Sequence, residues 1–90
     1  MSIVFDPNKR NWTLTYRDLD FLDAEHVFNG VTYEIEDKRR NYGEQRTLCF
    51  GWLGDRMVMV GYTLRGADRH VFSMRKVNER EYKKIRPHLD

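Results

Sequence analysis

Ninety residues make one domain, expected to span 1–90, with room for a single compact core. A composition 40% hydrophobic and 13% aromatic excludes a disordered chain, and a lone cysteine, Cys49, excludes an intrachain disulfide and fits a reducing compartment. The net charge of +2 is unevenly spread, −3 over residues 1–45 and +5 over residues 46–90, so the second half suits a polyanionic partner.

In chain order, the first expected element is a helix over 7–16. Asp6 is its candidate N-cap, and Pro7 stands where a missing N–H costs nothing. A second helix is expected in "DFLDAEHVFNG". Asp20 caps it, Phe21, Ala24, Val27 and Phe28 form one apolar stripe, and Gly30 ends it. "VTYEIE" alternates as a half-exposed strand, and the charged "DKRRNYG" connects it onward. "EQRTLCFGWL" and "RMVMVGYTL" read as strands joined at Gly54-Asp55, a strong hairpin signal. "RGAD" turns into a last strand, "RHVFSMR". Asn78 and Glu81 then form a capping box for a C-terminal helix that ends near Pro87. The expected class is α+β: two N-terminal helices, a four-stranded mainly antiparallel sheet with helices on one face, and a C-terminal helix.

Period-two alternation places Arg69, Val71, Ser73 and Arg75 on one face of the last strand, with His70, Phe72 and Met74 on the other. Two guanidiniums flanking a hydroxyl suit a phosphate clamp, because each offers a planar fork of donors. The same arginines also suit a solvated strand face. Trp12, Trp52 and Tyr62 are candidates for stacking on bases, or for core and partner contacts. Three histidines without cysteines or carboxylates at ligand spacing give no metal motif, and no cofactor is expected. There is no glycine-rich phosphate loop and no nucleophile elbow. With no long apolar run and no basic-then-apolar N-terminus, a membrane partner is not expected and a cytoplasmic protein is.

The ordered set "FDPNK", "FLDAEHVF", "GEQRTLCFGWL", "RMVMVGYTLR" and "RHVFSMRKVNEREY" resembles the BrnT family of toxins. The last of these is similar to the family's R-x-I-S-A-R-x-A-x-x-x-E pattern, and the third to its G-E-x-R. In one place the chain departs from the family. Thr13 falls where the family has an asparagine, and Tyr16, Arg17 and Asp18 fall where it has Lys-His-Gly. Arginine binds phosphate but is a poor proton donor. The resemblance implies a RelE-like fold and a metal-independent ribonuclease that blocks translation. It also implies a BrnA-like ribbon-helix-helix antitoxin, which neutralises the toxin and takes the pair to operator DNA.

Metal-free RNA cleavage requires a deprotonated 2′-hydroxyl, a phosphate held in line, a counter to the developing charge, and a protonated leaving oxygen. On this basis Lys9, Glu44, Arg46, Arg69 and Arg75 are the expected catalytic residues. Glu44 serves as base or as an orienting partner for Arg46. Arg17, Ser73 and Lys76 are expected to bind RNA phosphate. Two alternatives stay open: a weak or inactive toxin homologue that binds its antitoxin and represses the operon, and an unrelated α+β adaptor whose arginines are only surface.

Overall fold

The computed structural model describes residues 2–90. A short strand, β1 (Ile3–Phe5), precedes helix α1 (Pro7–Arg17). A 3-10 turn (Phe21–Asp23) leads into α2 (Ala24–Phe28). Strands β2 (Thr32–Glu36), β3 (Thr47–Leu53), β4 (Arg56–Arg65) and β5 (Asp68–Lys76) follow, then α3 (Glu79–Ile85) and a last 3-10 turn (Arg86–Leu89). No helix is long and apolar enough to cross a membrane among the described residues.

The α+β class holds, and the element count is corrected. The sheet has five strands in the order β1-β5-β4-β3-β2. The expected antiparallel meander is β2 to β5, and β1 adds a parallel strand at the edge beside β5. β1 is three residues long, too short to show alternation, and its partner lies at the far end of the chain. The Arg69 N–H donates to the Ser2 carbonyl at 2.8 Å. The expected second helix is also divided. The Asp23 N–H bonds the Asp20 carbonyl at 2.9 Å, an i to i+3 closure that tightens the first turn. The Asp20 carboxylate caps that turn from Leu22 N at 3.0 Å and receives the Arg10 guanidinium through both oxygens, at 2.8 and 2.9 Å.

Other local signals act as the residues dictate. The Asp6 carboxylate accepts from Asn8 N at 2.9 Å, with Pro7 in the first turn. Asn78 and Glu81 form the reciprocal capping box of α3. Gly54 and Gly66 take positive φ in the two-residue turns on either side of β4. α1 ends at Asp18 with φ 56, at the place where the family resemblance puts a glycine.

Helices cover both faces of the sheet, not one. Leu19, Phe21, Ala24 and Val27 pack on Cys49, Val58, Val60, Tyr62, Val71 and Met74. On the opposite face, Ile85 and Leu89 pack on Phe50, Met57 and Met59. The cause lies in β4, whose run Met57-Val58-Met59-Val60 is apolar on both sides and is buried throughout. Such a strand needs cover above and below.

A β-bulge in β5 decides where the charged side chains go. Tyr62 pairs with Val71 and Gly61 with Ser73, leaving Phe72 as the extra residue. Val71 and Met74, three apart, therefore enter the same core. The alternation reverses across Phe72.

Candidate active site

The bulge overturns the expectation that Arg69, Ser73 and Arg75 share a face. Arg69 precedes the bulge and shares the α2 side with Val71. Its guanidinium lies 4.1 Å from the Phe28 ring centroid and 5.3 Å from that of Tyr62. Its Nε is buried with no hydrogen-bond partner. Arg75 follows the bulge and points to the α3 side, where Glu81 holds it through two bonds of 2.7 and 2.8 Å. One phosphate cannot be clamped between them from a common strand face. Lys76, paired with Val58, returns to the α2 side and is exposed, away from Arg75.

On the α3 side, beyond the reach of α3 itself, the same bulge assembles a different group. Gly61 carries no side chain, and the Phe72 ring lies over it: a Cβ there would stand 2.7 Å from the ring. Arg46 stacks on that ring at 4.4 Å and on Tyr42 at 4.1 Å. No carboxylate lies within 4.0 Å of Arg46 among the described residues. A flat, unneutralised cation between two rings is held in place without spending its charge. Its Nε is buried and without a partner.

The expected Glu44–Arg46 pair does not form. Glu44 instead meets Arg65 at 3.6 Å. The alternation rule does not reach Glu44 because β3 begins only at Thr47, and residues 37–46 form an irregular loop. Asp37 organises that loop. Its side chain is 2% exposed and takes two bonds from Arg39 at 2.8 Å each and one from the Tyr42 hydroxyl at 3.0 Å. The Arg39 guanidinium holds the Asp37 carboxyl well below the usual carboxylate range. The basic loop is thus anchored by a buried acid, which places Tyr42 beneath Arg46 and leaves Arg39 76% exposed.

His70 lies opposite Arg69 and on the side of Phe72, as alternation expected, and the bulge brings Arg75 to that side. Thr63 pairs with His70, and Arg46 stands one residue before the Thr47–Tyr62 pair, at the entry to β3 beside that row. The Thr63 hydroxyl donates to the Gln45 carbonyl at 2.8 Å, which ties Thr63 to the residue before Arg46. Partial burial first, then the charges of Arg65 and Lys9, lower the His70 pKa below its ordinary value; Glu44 and Asp6 oppose the shift. A neutral imidazole is thereby favoured. The available sequence signal for the bulge was the spacing Val71, Phe72, Met74, which breaks a strict alternation of apolar residues.

α1 brings the remaining expected residues to the free edge of β5, beyond the end of β1. Arg17 donates to the Met74 carbonyl at 3.1 Å and reaches the Ser73 hydroxyl at 3.5 Å. Lys9, Trp12, Thr13, Arg17, Phe72 and Ser73 line a hollow of about 250 Å³ there. Lys9, Arg17 and Ser73 thus meet Arg46 through the shared Phe72 ring. Cys49 is buried and its thiol is pushed up to about 12, chiefly by burial, which leaves it unsuited as a nucleophile. No group of three or more His, Cys, Asp or Glu side chains that could hold a metal ion comes together among the described residues.

A family model described as "Ribonuclease toxin, BrnT, of type II toxin-antitoxin system" matches residues 5–81 of this chain. Among solved structures, the fold is similar to the crystal structure of the Brucella abortus ribonuclease toxin BrnT. The TM-score is 0.70 at 24% sequence identity, over 88% of this chain and 99% of that one. This likeness shows a shared fold. No curated protein matches.

Proposed function

Because the chain belongs to the BrnT family, ribonuclease toxins of type II toxin–antitoxin systems, we propose that it cleaves RNA on the α3-side surface of Arg46, His70, Phe72 and Arg75, without a metal ion. The observation that carries this reading is Arg46 itself, stacked between Tyr42 and Phe72 with no carboxylate to neutralise it. Such a group meets a phosphodiester with both its charge and its orientation already fixed.

Arg46 and Arg75 hold the scissile phosphate and stabilise the charge that develops on its oxygens. Glu81 sets the orientation of Arg75, leaving Nε–H and one Nη–H free for substrate. The neutral His70 takes the proton of the 2′-hydroxyl. The 2′-oxygen attacks the adjacent phosphorus, the P–O5′ bond breaks, and a 2′,3′-cyclic phosphate forms. The departing 5′-oxygen takes a proton from water while His70 returns its own to solvent. Lys9, Arg17 and Ser73 bind the neighbouring phosphate along the β5 edge. Arg69 and Lys76 face the other way and serve packing and surface charge. Glu44 acts through Arg65, near His70, rather than on Arg46.

Type II membership implies an antitoxin. The family resemblance supports a BrnA-like ribbon-helix-helix partner that carries the pair to operator DNA, in the cytoplasm. A second reading has its own observation. Arg17 stands where the family has histidine; arginine is a poor proton donor, and this guanidinium bonds the Met74 carbonyl. A weak enzyme serving chiefly as an antitoxin-binding repressor would follow.

Purified protein incubated with cellular RNA in EDTA tests the choice. The first reading expects cleavage by the wild type and a large loss in Arg75→Ala, with both proteins folded by circular dichroism. Absence of cleavage on naked RNA and on ribosome-bound message alike selects the second.

A further inference from the structure

We propose that the hollow between α1 and the free edge of β5 is a nucleobase subsite, in which an unpaired base of single-stranded RNA stacks on Trp12. The inference rests on the RNA-cleavage reading and adds what holds the nucleotide next to the cleaved phosphate.

Four observations converge. The hollow measures about 250 Å³, and aromatic Trp12 and Phe72 line it together with the cations Lys9 and Arg17. Trp12 is 49% exposed and Tyr16 72%, with their rings 5.3 Å apart. Two large aromatics exposed side by side mark a candidate interaction surface. Trp12 is also held ready. The Arg17 guanidinium lies 4.9 Å from its ring, and Arg17 is tied to the Met74 carbonyl. Finally, Phe72 is a wall of the hollow and also the platform of Arg46, so a nucleotide in the hollow is one step from the proposed phosphate site.

The other aromatics singled out in the sequence have different employment. Tyr62 is buried, with its hydroxyl bonded to Glu34 at 2.8 Å. Trp52 packs edge-on against Tyr82 in the second core. Of these three, Trp12 alone combines an open ring, a hollow and cations without a carboxylate partner. Neither Lys9 nor Arg17 has a carboxylate within 4.0 Å among the described residues, and this charge favours a nucleic acid over a neutral protein surface. An unpaired nucleotide has a planar base face for the indole and a phosphate for the rim. A base inside a duplex has neither face free.

The test uses Trp52→Phe protein, in which Trp12 is the sole tryptophan, and a single-stranded 2′-O-methyl oligoribonucleotide that cannot be cleaved. The expected result is quenching of Trp12 emission by the single strand and not by the same strand in a duplex. Trp12→Ala weakens binding, measured by anisotropy of a labelled oligonucleotide, by about 5- to 150-fold, and Trp12→Phe restores most of it. Unchanged affinity in a folded Trp12→Ala protein overturns the proposal and leaves the patch to a protein partner. Quenching by the single strand in a protein that cleaves no RNA upholds the subsite and defeats the catalytic reading instead.

Discussion

The two faces of the sheet solve the same packing problem to different ends. On the α2 side, Val27 sits over Gly51, where an added Cβ would come within 2.8 Å of it, and the core closes around it. Arg69 is enclosed there by Phe28 and Tyr62. On the α3 side, Phe72 sits over Gly61 in the same manner, but α3 covers only the end of the face near Met57 and Met59. The ring that fills the gap becomes a platform, and Arg46 stands on it with its charge free. Burial of a side chain over a glycine is a packing device on either side. Arg46 and Arg69 both lack a carboxylate within 4.0 Å among the described residues, so what sets the proposed site apart is its cover. Arg69 lies against Phe28 of α2, whereas Arg46 is held only by the rings of Phe72 and Tyr42.

The comparison breaks most sharply at the two arginines. Arg46→Ala is expected to lower kcat for RNA cleavage by about 10²- to 10³-fold, the scale of losing one preorganised donor to a developing oxyanion. Arg69→Ala is expected to leave kcat nearly unchanged and to lower stability by about 1–3 kcal/mol, because it removes the stem and guanidinium packed beneath two rings. Single-turnover cleavage and urea melts on both variants measure this. A large kcat loss in Arg69→Ala with Arg46→Ala active would place the chemistry on the α2 side.

A smaller effect sharpens the same contrast through the glycines. Gly61→Ala and Gly51→Ala both force a close neighbour aside, and each is expected to cost about 1–3 kcal/mol of stability. They should differ in activity per folded molecule. Gly61→Ala lifts Phe72 and tilts the Arg46 platform, so cleavage falls; Gly51→Ala leaves cleavage at the wild-type level. Denaturant midpoints combined with active-site-normalised rates would show the split, and equal activity in both variants would deny Phe72 its role.

Much of the fold was legible in the residues. Asp6-Pro7, Gly54-Asp55 and the Asn78–Glu81 box each act locally, through one hydrogen bond or one φ angle, and local rules find them. β1 was not legible, because three residues paired with the far end of the chain carry no period. The residue types of the site were legible as well, since arginines with aromatics suit a phosphodiester. Their grouping was not. One extra residue at Phe72 moves Arg75 to the face opposite Arg69, and period-two reasoning has no means to count a bulge. Likewise Glu44 was paired with Arg46 by a strand rule applied where no strand exists.

His70 gives the finest discrimination, through position on the pH axis. The fold lowers its pKa, so between that value and the ordinary value near 6.5 the unfolded chain binds more protons than the folded one. Stability therefore rises with pH across this window: the contribution is complete above about 6.5 and is lost as pH falls through the folded-state value. The activity profile follows from the same group. A base must be unprotonated, so kcat/KM should rise with pH along an acid limb whose midpoint lies below about 6.5. In His70→Gln both the limb and the corresponding change in stability should vanish. A limb that persists in the variant would assign the proton to another group. A limb that vanishes would mean that the open face carries a base, His70, as well as the cation Arg46.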